Sequence, residues 1–232
     1  MREIVLDTET TGLSPQGGDR LVEIGCVELV NHIPTGRTHH VYINPERSMP
    51  EEAFRVHGLS EDFLADKPVF RMVAEEFRAF IGDATLVIHN AAFDMGFLNA
   101  EMEWAGLPGL DNPVIDTVMV ARQKHPGARV SLDALCKHYG IDNSRRTLHG
   151  ALLDSQILAE VYLELIGGKQ VSLALVAEIE TTIVTAARIA VPPRPAPLPG
   201  RVSAMEAEAH AAFVASLGEG ALWARYEEQR QP

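Results

Sequence analysis

Two acidic residues interrupt an apolar run close to the N-terminus. The stretch 4–12 has the sequence IVLDTETTG, and its first residues are β-branched or aliphatic, which predicts a buried strand. Because side chains alternate along a strand, Asp7 and Glu9 share one face. Two neighbouring carboxylates repel each other and raise each other's pKa, and a divalent cation between them, Mg²⁺ or Mn²⁺, would remove that repulsion. The alternative is a strand end at which both acids simply turn to solvent.

Two more acids, Asp94 and Asp154, lie in apolar, helix-forming surroundings. Burial of any one of the four acids without a partner is unfavourable, whereas together they could hold two divalent ions about 4 Å apart, the arrangement that cleaves phosphodiesters. His149 is a candidate for the base that takes a proton from the attacking water. Because His149 and Asp154 would lie about 140° apart on an ideal helix, we expect His149 on the loop before the helix.

Three short motifs contain these residues: DTETTG at 7–12, HNAAFD at 89–94 and HGALLD at 149–154. In this order they resemble the motifs of the DEDDh exonuclease family, most closely its DnaQ-type branch, the epsilon subunits of bacterial DNA polymerase III. The resemblance implies an α/β fold with an RNase H-like mixed five-stranded sheet flanked by helices. It also implies 3′→5′ hydrolysis that releases nucleoside 5′-monophosphates and uses two divalent cations, Mg²⁺ or Mn²⁺. The implied metal ligands are Asp7, Glu9, Asp94 and Asp154, and the implied general base is His149.

Four further positions match family segments that lie beside the terminal nucleotides of the substrate. Thr10 and Leu13 follow the first two acids, His57 lies in the segment Val56-His57-Gly58, and Phe93 precedes an acid of the second motif. The resemblance therefore implies substrate contacts by these four side chains. Ordinary packing in a turn or in the core explains each of them equally well.

The elements that must position these residues follow from hydrophobic periodicity and turn signals. After the first strand, a loop at 13–19 precedes two strands at 21–30 and 38–43, which a hairpin connection at 31–36 joins. A short helix from residue 50 is broken at 56–59. The remaining pattern predicts short strands at 86–88 and 114–116 and helices at 68–81, 91–104 and 117–124. Two further helices are predicted. One begins after an N-cap at Ser131, and the other runs from the third motif to about residue 166.

The net charge of −12 over 232 residues argues against a protein that binds nucleic acid through bulk charge. It does not exclude a site that contacts a few nucleotides and uses metal at the phosphates. The charge is uneven, because residues 122–146 carry a local net charge of +4. A solvated surface segment is the simpler interpretation of that stretch.

Other features of the sequence concern the compartment. No apolar run reaches the roughly 18 residues that span a bilayer, and the N-terminus enters a strand directly, so we expect no signal peptide. Cys26 and Cys136 lie in apolar surroundings far apart in sequence, which indicates reduced core thiols and a cytoplasmic protein.

The chain beyond the third motif has a different character. We expect an exonuclease domain at 1–169, a linker segment at 170–201 and a helical tail at 202–232. Gln170–Leu175 (QVSLAL) resembles peptides that dock on the bacterial sliding clamp, although a piece of helix is a rival interpretation. Five of the eight residues at 192–199 are proline, which predicts a stiff linker.

The tail resembles the epsilon segment that binds the catalytic (alpha) subunit of polymerase III. Its Leu222, Trp223 and Tyr226 are suitable anchors for a partner's pocket, and packing back onto the domain is the alternative. The resemblance also raises a small theta-like accessory subunit as a partner. The predicted function is removal of misincorporated nucleotides from DNA 3′ ends. The rivals are a stand-alone DEDDh ribonuclease, which has no evident use for such a tail, and a mainly structural adaptor between polymerase and clamp.

Overall fold

The computed structural model describes residues 1–146, 148–167 and 202–218. The strands are β1 (Arg2–Thr10), β2 (Leu21–Val30), β3 (Ile33–Tyr42), β4 (Thr85–Ile88) and β5 (Val114–Asp116). The helices are α1 (Glu51–His57), α2 (Glu61–Ala65), α3 (Phe70–Ile81), α4 (Ala91–Trp104), α5 (Thr117–Lys124), α6 (Leu132–Tyr139), α7 (Ala151–Leu165) and α8 (Ala204–Ser216). Helix α8 belongs to the separate stretch 202–218. The predicted boundaries at 169 and 201, the clamp-like segment, the linker and residues 219–232 lie outside the described residues.

The five strands form one mixed sheet in the order β3-β2-β1-β4-β5. Strands β1, β2 and β3 pair antiparallel, whereas β4 pairs parallel with β1 and β5 pairs parallel with β4. The carboxyl ends of β1, β4 and β5 therefore meet at one edge of the sheet. The prediction of a mixed five-stranded sheet flanked by helices is confirmed.

Two apolar clusters cover the two faces of this sheet. Ile4 and Leu6 belong to the cluster that includes side chains of α3 and α4. Val5 belongs to the opposite cluster, which includes side chains of α5, α6 and α7. Since side chains alternate along β1, Asp7 and Glu9 lie on the face that α7 covers. Both faces are thus buried, and the first acidic motif continues a strand that has no solvated side.

The hairpin between β2 and β3 is tighter than the sequence predicts. Asn31 and His32 alone form the turn, both with positive φ (51° and 65°), which is the conformation of a two-residue type I′ turn. Strand β3 therefore begins at Ile33 rather than at Thr38. It includes Pro34, which is tolerated because β3 is at the edge of the sheet.

Other predictions of local structure are confirmed with small shifts. Ser131 caps α6, its side chain accepting a hydrogen bond from the Ala134 amide. Helix α1 extends through His57 and ends at Gly58, whose φ of 74° stops it. Both cysteines are free and buried, as expected. None of the described helices combines the length and apolarity that crossing a bilayer requires.

A close backbone contact fixes α7 on the sheet. A Cβ atom at Gly25 of β2 would lie 2.2 Å from the Ala151 carbonyl carbon and from the Leu152 amide nitrogen. The hydroxyl of Ser155 donates a hydrogen bond of 2.9 Å to the Gly25 carbonyl oxygen. The first turns of α7, which contain Asp154, therefore rest directly on a strand position that admits only glycine.

We expect Gly25→Ala to destabilise the protein by about 1–3 kcal/mol, the usual range for overpacking, because helix backbone rather than a flexible side chain obstructs the added methyl. Gly96→Ala in the interior of α4 is the matched control. A Cβ at Gly96 meets nothing within 4 Å, so this change should be neutral or stabilise by up to about 1 kcal/mol. Urea unfolding of both variants measures the difference, and equal midpoints would contradict the packing argument.

Candidate active site

The acids of the first motif lie at the carboxyl end of β1. Glu9 is buried and Asp7 is partly buried, and both face α7. On the neighbouring strand Glu23 pairs with Glu9, which adds a further negative charge. The prediction that Asp7 and Glu9 share one face agrees with this register. The alternative, that they turn to solvent at a strand end, is wrong for Glu9.

Asp94 reaches the same region from the other side of the sheet. It lies in the first turn of α4 and is almost fully buried, and its Oδ1 accepts a hydrogen bond of 2.7 Å from the Thr8 hydroxyl. Thr8 lies between Asp7 and Glu9 but points to the α4 face, so it ties the second motif to the first. Thr8 carries no sequence signal of such a role, because the alternation rule places its side chain away from the two acids.

The third motif completes the cluster. Ligand atoms of Glu9, His149 and Asp154 lie within 4.8 Å of one another, while Asp7 and Asp94 lie outside this tightest group. His149 precedes Gly150, the extended N-cap of α7, and its Nδ1 lies 3.3 Å from Oδ2 of Asp154. The backbone amide of His149 also bonds the Val56 carbonyl oxygen of α1. The expected arrangement, with His149 on the loop and Asp154 on the helix, matches the structure.

Arg146 is a site residue that the sequence analysis missed. Its Nε and Nη2 donate hydrogen bonds of 2.6 and 2.8 Å to the two oxygens of Asp154, and its Nη1 bonds Asp133 at 2.8 Å. Nη2 also lies 2.8 Å from Nδ1 of His149. The side chain is 9% exposed, so the solvated-surface interpretation of 122–146 is wrong for this residue. A basic residue three positions before a motif histidine was the only available signal.

The electrostatics follow from burial and from the crowding of acids. Burial, with the nearby Glu23, Asp154 and Asp94, raises the pKa of Glu9 from 4.5 to about 8. Burial likewise raises the pKa of Asp94 to about 7.

Asp7 and Asp154 shift in opposite directions. Burial raises the pKa of Asp7, and the charges of Asp94, Glu9 and Asp154 add to the increase. Burial also acts to raise the pKa of Asp154, but the hydrogen bonds from His149 and Arg146 outweigh it, so the net shift is downward.

This donor set fits hard divalent cations. It consists mainly of carboxylate oxygens, three of them from acids that resist ionisation without an added positive charge, together with one imidazole. Asp154 is held ionised, but its oxygens already accept from Arg146. Each carboxylate oxygen has two lone-pair positions, so a cation would share Asp154 with Arg146 or compete with it.

A cavity of about 320 Å³ adjoins the acids. Its lining includes all four predicted substrate contacts, which are Thr10, Leu13, His57 and Phe93. Nδ1 of His57 accepts a hydrogen bond of 3.0 Å from the Leu59 amide, so in the neutral ring the proton is on Nε2. That Nε2 is buried and makes no hydrogen bond of standard geometry within the described residues. Burial lowers the pKa of His57, and the Thr10 backbone acts in the opposite direction.

Comparison with known proteins identifies the family. The RNase_T exonuclease family matches residues 4–162. The chain is 55% identical over 174 residues to the DNA polymerase III subunit epsilon of Rickettsia prowazekii, covering 73% of this chain and 76% of that protein. It is 54% identical over 188 residues to the same subunit of Escherichia coli, covering 78% and 77%. The chain belongs to the exonuclease family, in its epsilon branch.

Solved structures of exonucleases agree with the assignment of this chain to the family. Exonuclease X in complex with 5′ overhanging duplex DNA is 27% identical with a TM-score of 0.57, covering 71% of this chain and 90% of that one. The nuclease domain of 3′hExo, a DEDDh family member bound to rAMP, shares the fold at 19% identity, with a TM-score of 0.63 and coverage of 71% and 91%. The predictions of the family and of 3′→5′ exonuclease activity are therefore confirmed. The family uses divalent metal ions. The roles of individual residues stay predictions.

We expect divalent cations to stabilise the exonuclease more at high pH than at low pH. Glu9 has a folded-state pKa raised from 4.5 to about 8. Between these values the folded state binds more protons than the unfolded state, so without cations stability falls as pH rises. A cation at 100 times its Kd would add about 2.7 kcal/mol, or roughly 5–10 °C in Tm.

Thermal unfolding with EDTA, Mg²⁺ or Mn²⁺ at pH 5 and pH 8 measures both effects. Glu9→Gln is the control, since it should remove much of the pH dependence in EDTA. A stabilisation by cations that is the same at both pH values would contradict the assignment of the acids as ligands.

Proposed function

We propose that this exonuclease removes misincorporated nucleotides from the 3′ end of DNA, as the proofreading subunit of a bacterial DNA polymerase III. The observation that carries the proposal is the convergence of Glu9, His149 and Asp154 within 4.8 Å, beside a cavity of nucleotide size. The epsilon subunits that the chain resembles supply the biological context. The group is composed of acids and a base, which is the chemistry of phosphodiester hydrolysis rather than of a scaffold.

In this proposal Asp7, Glu9, Asp94 and Asp154 hold two divalent cations, Mg²⁺ or Mn²⁺. When bound, the cations would lower the pKa of the attacking water and offset charge on the leaving 3′ oxygen. His149 accepts the proton of that water at an unprotonated ring nitrogen. Its place on the loop before α7 leaves the ring half exposed, so the proton can pass on to solvent. The products are a nucleoside 5′-monophosphate and a strand one nucleotide shorter.

The terminal nucleotide occupies the cavity lined by Thr10, Leu13, His57 and Phe93. Leu13 is 86% exposed, which leaves its apolar side chain accessible for contact with a base or sugar. The ring of His57 forms part of the cavity wall beside that nucleotide, with its Nε2 buried. No side chain there needs to read the base, because a mismatched end costs less to separate than a paired one. Selection of mispaired ends would thus depend on how readily the terminal base pair opens.

Association with the polymerase is assigned to the tail. The described part of the tail, 202–218, contains α8, which begins with a capping box between Ser203 and Glu206. Met205 and Phe213 on this helix are exposed, which suits docking on the catalytic (alpha) subunit. The clamp-like segment Gln170–Leu175 and the anchors Leu222, Trp223 and Tyr226 lie outside the described residues. The proposal also includes the sliding clamp and a theta-like accessory subunit as partners, and the cytoplasm as the location.

We expect Asp7→Ala to lower nucleotide release from a 3′-mispaired primer by about a thousandfold or more, since loss of a ligand removes several kcal/mol of transition-state stabilisation. Binding to the polymerase subunit should persist, because the change is remote from the tail in sequence. Asp111→Ala, at an exposed acid, is the control and should retain activity. Gel assays of primer shortening with Mg²⁺ measure release, and normal excision by the Asp7 variant would refute the catalytic assignment.

We expect a chain truncated after residue 201 to degrade single-stranded DNA at close to the full rate but to lose association with the polymerase catalytic subunit. The catalytic residues all lie within 7–154, whereas the tail supplies only docking and effective concentration. Size-exclusion chromatography with the purified catalytic subunit tests association. Co-elution of the truncated chain would assign the docking surface to residues before 202 instead.

A further inference from the structure

A second and larger cavity lies outside the acidic cluster. Its volume is about 730 Å³, and it is formed by the loop after α5 together with α6. Four of the six polar side chains that line it are arginine, lysine or histidine. The six are His125, Arg129, Ser131, Asp133, Lys137 and His138. A basic cavity of this size is unexpected on a chain with a net charge of −12.

The positive charge of this cavity is not neutralised within the described residues. Arg129 and Lys137 are exposed and form no ion pair there. The single acid, Asp133, is already shared between the Nη1 of Arg146 and the side-chain amide of Asn143. Desolvation, with the charges of His138 and Lys124, lowers the pKa of His125. Two cationic side chains, Arg129 and Lys137, thus accompany one acid that already bonds Arg146, so the cavity carries net positive charge, which favours an anion.

The cavity is next to the acidic cluster. Asp133, which lines it, and Asp154, a proposed metal ligand, bind different nitrogens of the same Arg146 guanidinium. The separation between the two carboxylates is therefore little more than the width of one side chain and its hydrogen bonds. A strand whose terminal phosphodiester lies at Asp154 could extend past Asp133 into the cavity that Arg129 and Lys137 also line.

We propose that this basic cavity binds backbone phosphates of the DNA strand whose 3′ end occupies the active site. The inference rests on the proposed function, because that function supplies the polyanion and its direction. Arg129 and Lys137 bind the phosphates, and His125 and His138 complete the lining of the cavity. Backbone contacts of this kind position a strand without reading its sequence, as an exonuclease that excises any mispaired end requires.

The contacts should increase affinity for oligonucleotides but not for a substrate of one nucleotide. The experiment compares full-length wild type with the double variant Arg129→Gln/Lys137→Gln. One substrate is a 12-residue single-stranded oligodeoxynucleotide, and the other is the p-nitrophenyl ester of thymidine 5′-monophosphate. Arg71→Gln is the matched control, because Arg71 is an exposed arginine on α3, on the opposite face of the sheet.

For the double variant we expect kcat/KM on the 12-residue strand to fall about tenfold at low salt, mostly through KM. The slope of log(kcat/KM) against log[salt] should become shallower by about 0.7 for each phosphate that the variant no longer neutralises. Hydrolysis of the ester should not change, and Lys137→Arg should retain activity on the oligonucleotide. The Arg71 variant should match wild type.

A chemical change in the substrate gives an independent test. A neutral methylphosphonate linkage, moved stepwise from the 3′ end, should weaken wild type at the positions that face the cavity and leave the double variant unaffected there. Equal activity of wild type and double variant on the oligonucleotide would overturn the inference. So would an equal loss on the ester, since that would indicate damage to the active site. A wild type that cleaves neither substrate would instead refute the proposed function.

Discussion

The repulsion among carboxylates at the carboxyl end of β1 is the constraint on which the site depends. Glu9, Asp94 and Asp154 are nearly inaccessible to water, and in such surroundings each negative charge opposes the ionisation of the others. The upward pKa shifts of Asp7, Glu9 and Asp94 express this conflict. Protonation relieves it when no cation is near, which is what the raised pKa values mean, whereas a cation relieves it with the acids ionised. One such cation is internal, since Arg146 keeps Asp154 ionised, and the proposed metal ions would supply the rest.

Backbone geometry assembles this cluster from both faces of the sheet. Parallel pairing of β1 with β4 brings the start of α4, and with it Asp94, to the end of β1. On the other face, Gly25 lets the first turn of α7 approach β2 at backbone distance, which determines the height of Asp154 above the sheet. Because Thr8 and Asp7 point to opposite faces, a single strand contacts both helices. The acids therefore come from elements on both faces of the sheet and converge at the carboxyl end of β1.

The sequence predicted the parts of the site that depend on local spacing and motif likeness. The residues Asp7, Glu9, Asp94, His149 and Asp154 stand in three compact motifs, and α4, α5 and β5 follow from apolar periodicity with their observed bounds. Features that depend on pairing across the fold were missed. The partners of Arg146 lie 8 and 13 residues away, and the strand role of Gly25 appears only when α7 is placed upon it. The start of β3 was missed because Pro34 and Gly36 resemble loop residues.

The charge distribution affects how such an enzyme avoids degrading correctly paired DNA ends. A net charge of −12 keeps non-specific attraction to polyanions low, since that attraction grows with the number of phosphates neutralised. Weak intrinsic binding is an advantage for a nuclease that must spare paired ends, provided that something else presents the substrate. A tether to the polymerase would supply a high local concentration of primer ends. The basic side chains of the cavity beside Asp133 would then align only a strand that has already separated from its template.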